Sequence, residues 1–510
     1  MEKKIKSLLS RMKEYVERFN REDNEIYKNA IPNSGAYEWM AAHIPLIDIP
    51  DKELEAVYYF RWWTYRKHIK KVPTGYIISE FLPDVPWAGR YNSISCAAGH
   101  HLKEGRWLRD EPAFDAYINY WYRDSDNINS YTNWLDYMVC EIGALRNDYS
   151  LGLKNLDPMI HYYTERERTN FRPDYGLFWG LCDRDGQEFS ISGDGFRLPL
   201  NCYMAGNAWG ISQLASLAGR SADAEKFDEK RRALEANIET YLWSEEDRFY
   251  LNIHVPEKDG KADATREDSR FKVKELWGYT PWYFGLAPKG REDAFSAMTN
   301  PDVFSGAYGL TTAARSHECY GIYYTGEEFN AWLARRGEKP SGPKGHECLW
   351  HGPSWPFATS IALSGLAASE RNEDGLFYKL LSRYAGSHHL HPHNSGEDQG
   401  PYWIDEVQHP DTGDWISRTR LEKWSDSGNW DDTKGGPERG KDYNHSTFCD
   451  LVISGLFGIQ IPEPGSPAAA PVAKPRFPGD WQNASLYRIP FGGKLYALEY
   501  SGGGLSIAIL

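Results

Sequence analysis

Apolar residues recur at helical spacing through most of the chain. In MEKKIKSLLSRMKEYVERF, Ile5, Leu9, Met12, Val16 and Phe19 share one face among charges, which predicts an amphipathic N-terminal helix. Such a segment lacks the short apolar core and small-residue cleavage site of a secretory leader, and no stretch reaches the roughly 18 apolar residues of a membrane span. A soluble, cytoplasmic protein is expected. The clearest unit lies at 200–243: Ile211, Leu214 and Leu217 run down to Gly219, a helix stop, Ser221 offers an N-cap, and Phe227, Leu234, Ile238 and Tyr241 restart the period. This spacing predicts an αα-hairpin. Further helices are expected at 51–70, 112–122, 131–145, 354–369, 375–386 and 443–458, with Trp134, Met138, Ile142 and Leu145 on one face of the third.

Between these segments run long stretches rich in Gly, Trp, Asp, Asn and His, at 79–107, 171–200, 301–320, 338–356 and 388–436. Loops of that length in a folded domain usually carry function. Near the end, PEPGSPAAAPVAKP reads as an extended connector, and SLYRIPFGGKLYALEYSGGGLSIAIL alternates around glycine turns as a few β-strands. The expected organisation is a helical body at 1–461, a connector at 462–478 and a short β-rich segment at 479–510.

Composition narrows the class of ligand. Asp and Glu number 72 against 58 Lys and Arg, a net charge of −14, which argues against nucleic acid or an anionic membrane as partner and for a neutral or cationic ligand. Twenty Trp, 33 Tyr and 21 Phe make 15% of the 510 residues. Flat amphipathic rings beside polar groups suit a sugar cleft, where C–H faces stack and carboxylates take hydroxyls; a bulky aromatic core fits the same count. The seven cysteines are scattered and form no C-x-x-C pair, so neither a disulfide framework nor a zinc knuckle is expected.

Two acidic loops stand out. Asp183-Arg184-Asp185-Gly186-Gln187-Glu188-Phe189-Ser190 puts three carboxylates within six residues, which would raise one another's pKa if they converged in a ring-lined cleft, as a general acid requires; an ordinary acidic turn reads the same way. In Tyr402-Trp403-Ile404-Asp405-Glu406, an adjacent acid pair follows two rings that would desolvate it, so one carboxylate could serve as base on a water; a surface acid before the Asp411-Thr412-Gly413 turn is the alternative. The loop–helix junctions WHGPSWP at 350–356 and GHHLKEGRW at 99–107 join Trp, His and charge. His100–His101 match no standard metal-ligand spacing, whereas the i, i+2 spacing of His388, His389, His391 and His393 on an extended segment could hold a metal; hydrogen bonding is the preferred reading of both. No Walker loop, G-x-S-x-G elbow or H-E-x-x-H is present.

The run WHGPSWP resembles the W-R-G-P-x-W-P signature of the six-hairpin, (α/α)6-barrel glycoside hydrolases, the group of mannosylglycerate hydrolase-like enzymes, family 63 glucosidases and trehalases. DRDGQEFSISG followed by Leu200-Asn201 is similar to that group's acid motif, Trp403 to Gly413 to its base motif, and Tyr443 to Ile459 to the helix closing the barrel. These landmarks span about 170–460. The resemblance implies a mainly α fold, an (α/α)6 toroid with a small C-terminal β segment. It places the acid on Glu188, two positions before Ser190, and the base on Glu406. Glu stands where those relatives carry Asp, which leaves Asp185 as a rival acid, and His351 replaces an Arg, which implies a different sugar at the cleavage subsite.

The expected function is an exo-acting, anomer-inverting glycosidase acting on an oligosaccharide or glycoside, with no cofactor and no metal. Trp87, Trp107, Trp179, Trp355 and Trp403 are the expected sugar platforms, and Asp185, His101, Arg106, His351 and Asp405 the hydroxyl or orienting contacts. An epimerase, isomerase or polysaccharide lyase on a similar barrel, using the His388–His393 cluster, is the alternative. A non-catalytic carbohydrate-binding protein is disfavoured because buried paired carboxylates are costly unless used.

Overall fold

Two kinds of helix build the body, and burial tells them apart in the computed structural model, which describes the chain except residues 264–268, 343–344, 370, 372–374, 391–399, 427, 429–435, 437 and 467–469. The first kind is enclosed on all sides. In Lys52–Tyr65 every residue from Leu54 onward is buried, Ser95–Gly105 is buried throughout, and Pro356–Ala368 is buried from Pro356 to Leu366. Such helices show no apolar stripe, as expected of segments packed from every direction. The second kind presents one face: Glu2–Glu22 buries Leu8, Met12, Val16 and Phe19, and Ser221–Leu242 buries Phe227, Leu234, Ile238 and Leu242.

The expected hairpin forms from Leu198–Leu217 and Ser221–Leu242, the most extensively packed helix pair. Gly219 sits at φ +71, the left-handed conformation that ends a helix. Ser221 does not cap the second helix; it is the first helical residue, and Arg220 occupies the cap position without a side-chain bond. Gly210 lets the enclosed helix touch the backbone of Leu135–Arg146, because a Cβ there would stand 2.5 Å from the Asp136 carbonyl oxygen.

Two expectations change. The stretch 79–107, read as a loop, contains the helix Ser95–Gly105. The helix expected at 443–458 shrinks to a π-helical turn, Leu451–Leu456. Its approach is pinned by tertiary bonds: the buried Glu104 carboxylate accepts the backbone N–H groups of Phe448, Cys449 and Asp450, while Asn444 N–H donates to the Glu80 carbonyl.

The C-terminal strands Asn483–Phe491, Lys494–Ser501 and Gly504–Ile509 form an antiparallel sheet completed by Leu46–Asp48 from the N-terminal region, with Leu46 opposite Tyr487. A second sheet orders Phe171–Arg172, Leu177–Gly180, Gly195–Phe196 and Ile253–His254. Trp179 pairs with Phe196 and Gly180 with Gly195, so residues 181–194 form the loop between two paired strands. Among the described residues, no helix is long and apolar enough to cross a membrane.

Candidate active site

That loop is organised by one buried arginine. Arg197 donates from Nε to Asp185 Oδ2 at 2.6 Å and from Nη1 to Ser190 Oγ and Ser192 Oγ at 3.2 Å each, and Thr132 Oγ1 donates to Asp185 Oδ1 at 2.9 Å. Gly186 at φ +70 and Phe189 at φ +57 turn the chain sharply on either side of Glu188. The Glu188 carbonyl accepts the Trp350 N–H at 3.1 Å, and its side chain faces a cavity of about 690 Å³.

A second part of the lining comes from the second acidic loop. Ser354 and Gln408 exchange backbone bonds at 2.9 Å in both directions, which ties WHGPSWP to the segment bearing Glu406. Asp405 Oδ1 accepts the Glu406 N–H at 2.7 Å and the Ser417 hydroxyl at 2.6 Å, fixing the backbone beneath the carboxylate. Glu406 Oε2 accepts from Arg439 Nη2 at 3.2 Å, and Arg439 Nη1 donates to Glu347 Oε2 at 2.7 Å. The Arg439 guanidinium also lies 5.1 Å from the Trp87 ring centre.

The two carboxylates differ in environment. Burial pushes Glu188 up to about 8; the Cys348 thiol, donating to Oε2 at 2.9 Å, opposes this, and the charges of Asp183 and Glu406 add to it. Burial raises Glu406 to about 7, against the pull of Arg439 and with the push of Asp405, Glu80 and Glu347. Glu188 thus sits beside a neutral thiol donor and Glu406 beside a guanidinium.

A third acid escaped sequence reasoning. Glu80 lines the same cavity, accepts from the Tyr443 hydroxyl and from His445 Nδ1 at 3.0 Å, and is raised to about 7 by burial. Tyr443 and His445 lie more than 360 positions away, so no local pattern signals it. Asp183, Arg184, Glu347, Cys348 and Arg439 also reach the wall, with Trp424, Tyr131 and Phe357.

Of the expected contacts, Glu188, Glu406, Trp87 and Trp355 line this cavity. Trp355 is held from behind by stacking on Trp350 at 4.1 Å and donates Nε1–H to the Leu349 carbonyl at 2.9 Å. The other expected contacts lie outside the lining, each engaged elsewhere. Asp185 serves Arg197, and Asp405 supports the Glu406 backbone. His101 bonds the Tyr117 hydroxyl at 2.8 Å; Arg106 pairs with Asp450 and Glu141, and Trp107 donates to Asp450 at 2.7 Å. His351 stacks on Trp332 at 4.1 Å, Trp179 donates to the Val255 carbonyl at 2.5 Å, and Trp403 lies under Lys441. His388 contacts Arg61 and His389 contacts Glu53, both away from the cavity, while His391 and His393 fall outside the described residues. Among the described residues, no group of three or more His, Cys, Asp or Glu is placed to hold a metal.

Residues 90–446 match the family model of the mannosylglycerate hydrolase MGH1-like glycoside hydrolase domain. The chain belongs to this family. Within the MGH1-like domain fall Glu188, Glu406, Cys348 and Arg439, whereas Glu80 precedes it. A solved structure described as a sialidase is 29% identical over 98% of this chain, with a TM-score of 0.82. The chain spans 43% of that protein's length. A family GH78 rhamnosidase of Bacillus sp. GL1 (15% identity, TM-score 0.53, 91% of this chain and 41% of that one) shares the fold. So does the α-L-rhamnosidase of Streptomyces avermitilis complexed with L-rhamnose (12%, 0.50, 91% and 37%). The chain is thus mainly helical, with a small C-terminal sheet that lies outside the matched glycoside hydrolase domain.

Proposed function

We propose that the chain hydrolyses a glycosidic bond at the end of an oligosaccharide or glycoside with inversion at the anomeric carbon, using Glu188 as general acid and Glu406 as general base. The observation that carries this reading is the contrast between the two carboxylates on one cavity. Glu188 accepts a side-chain hydrogen bond from a thiol and keeps its proton, while Glu406 faces a guanidinium that favours its charged form. In the reaction Glu188 gives its proton to the leaving oxygen as the C–O bond breaks. Glu406 takes a proton from a water whose oxygen bonds to the anomeric carbon from the other face. Solvent exchange then returns the proton to Glu188. Inversion needs the carboxyl groups about 6.5–9.5 Å apart, which leaves room for that water.

Trp87 and Trp355 act as sugar platforms, and a volume of about 690 Å³ suits terminal sugar residues rather than a long chain. Enclosed helices packed with one-faced helices support an (α/α)6 toroid over 1–461, with 479–510 as an appended sheet. The test is turnover of methyl and 4-nitrophenyl glycosides of D-mannose, D-glucose, L-rhamnose, L-fucose and N-acetylneuraminic acid. At least one should be cleaved, and E188Q and E406Q should each lose about 10²–10⁴-fold on the methyl glycoside. Near wild-type rates in either variant would remove that residue's role.

A further inference from the structure

We propose that Cys348 is a positioning residue for the general acid: its thiol holds Glu188 through Oε2 and strengthens that bond as Glu188 gives up its proton. This rests on Glu188 being the acid. The geometry is a relay of two contacts. Trp350 Nε1–H donates to Cys348 Sγ at 3.3 Å, and Cys348 S–H donates to Glu188 Oε2 at 2.9 Å. With the indole N–H on the sulfur, the thiol's own proton is directed to the carboxylate. Trp350 is itself rigid, 2% exposed and stacked on Trp355, and its backbone N–H holds the Glu188 carbonyl. One residue therefore fixes both the thiol and the main chain of the acid, as a preorganised site requires.

Charge change gives this contact a catalytic consequence. A donor binds a carboxylate more strongly than a carboxylic acid, so the S–H bond tightens while the Glu188 proton passes to the leaving oxygen. Interactions stronger in the transition state than in the ground state raise the rate. The thiol is neither gained nor lost, and the only proton moved is that of Glu188. Cys348 remains a thiol because burial, with the charges of Glu188 and Glu406 beside it, pushes its pKa well up. The groups facing Glu188 are Cys348, Asp183 and Glu406, with Cys96 and Tyr131 also within its field; Arg420 faces Cys348. Of these, Cys348 alone donates a side-chain hydrogen bond to Glu188 among the described residues.

Two measurements test the proposal. The first needs no turnover: iodoacetamide labelling of Cys348, followed by mass spectrometry across pH, in wild type and E188Q. Removing the carboxylate should speed alkylation and start it at lower pH; identical profiles would overturn the contact. The second is the pH dependence of hydrolysis in C348A and C348S, on a methyl and a 4-nitrophenyl glycoside of the sugar the wild type cleaves. Loss of the donor raises the Glu188 pKa, so the descending alkaline limb of C348A should move to higher pH. Its plateau should fall about 10-fold on the methyl glycoside and less on the 4-nitrophenyl glycoside, which needs little acid assistance. C348S, which keeps a donor, should restore both. Equal losses on the two substrates with unmoved limbs would make Cys348 merely structural and overturn the proposal. Full methyl glycoside turnover by E188Q would instead show that the acid is assigned wrongly, whatever the labelling shows.

Discussion

Arg439 bridges two cavity carboxylates, with Nη2 3.2 Å from Glu406 Oε2 and Nη1 2.7 Å from Glu347 Oε2. Removing the guanidinium leaves Glu406 among Asp405, Glu80 and Glu347, all of which push its pKa up. A base works only when ionised, so the ascending acid limb of the pH–rate profile should shift to higher pH in R439Q. Activity on the acid side of the optimum should fall at least about 10-fold, with a smaller loss on the plateau. An unmoved acid limb would separate Arg439 from the base.

The wild-type profile itself should be a bell. On the proposed roles, ionisation of Glu406, about 7, sets the rise, and loss of the proton held by Glu188, about 8, sets the fall, so the optimum should lie at slightly alkaline pH. The charge of Asp183 helps keep Glu188 protonated. D183N should therefore move the descending limb to lower pH and leave the ascending limb in place, as read from kcat/KM across pH.

Asp185 competes with Glu188 for the role of acid by its place in the motif, yet the structure spends it on Arg197. Breaking a buried pair by removing one partner costs about 3–5 kcal/mol. D185A should lose stability on that scale in denaturant unfolding. The folded fraction should keep the alkaline limb, because Glu188 still supplies the proton. A variant of normal stability that loses this limb would return the acid role to Asp185.

Trp87 and Trp107 separate sugar contact from core packing. Trp87 is 38% exposed and lines the cavity, whereas Trp107 is fully buried and bonded to Asp450. W87A should raise KM about 10-fold with little change in Tm. W107A should lose about 3–5 kcal/mol of stability and show its kinetic effect only through the amount folded. Thermal unfolding beside Michaelis kinetics distinguishes the two.

What could be read before folding follows from where the partners lie. Helices with one apolar face, such as Glu2–Glu22 and Ser221–Leu242, declare themselves through local spacing. Ser95–Gly105 does not, because His100, His101, Lys103 and Glu104 fill it with buried polar groups, and the partners of Glu104, the backbone N–H groups of Phe448 to Asp450, are far away in the chain. The carboxylates on Gly-rich loops were legible as candidates, and the cavity contains Glu188 and Glu406. Glu80 and Cys348 were not, since each becomes meaningful only beside a residue far away in the chain. The 15% aromatic content answers to both readings of it: Trp62, Trp107, Trp121 and Trp332 are packing, while Trp87, Trp355 and Trp424 face the cavity.

The stereochemistry of the first product tests the central claim most directly. Time-resolved ¹H NMR of hydrolysis by the wild-type chain, recorded before mutarotation, should show the anomer opposite to that of the substrate appearing first, as the proposed roles of Glu188 as acid and Glu406 as base require. First appearance of the substrate's own anomer would mean that one carboxylate forms a covalent intermediate, and would contradict the roles assigned to both.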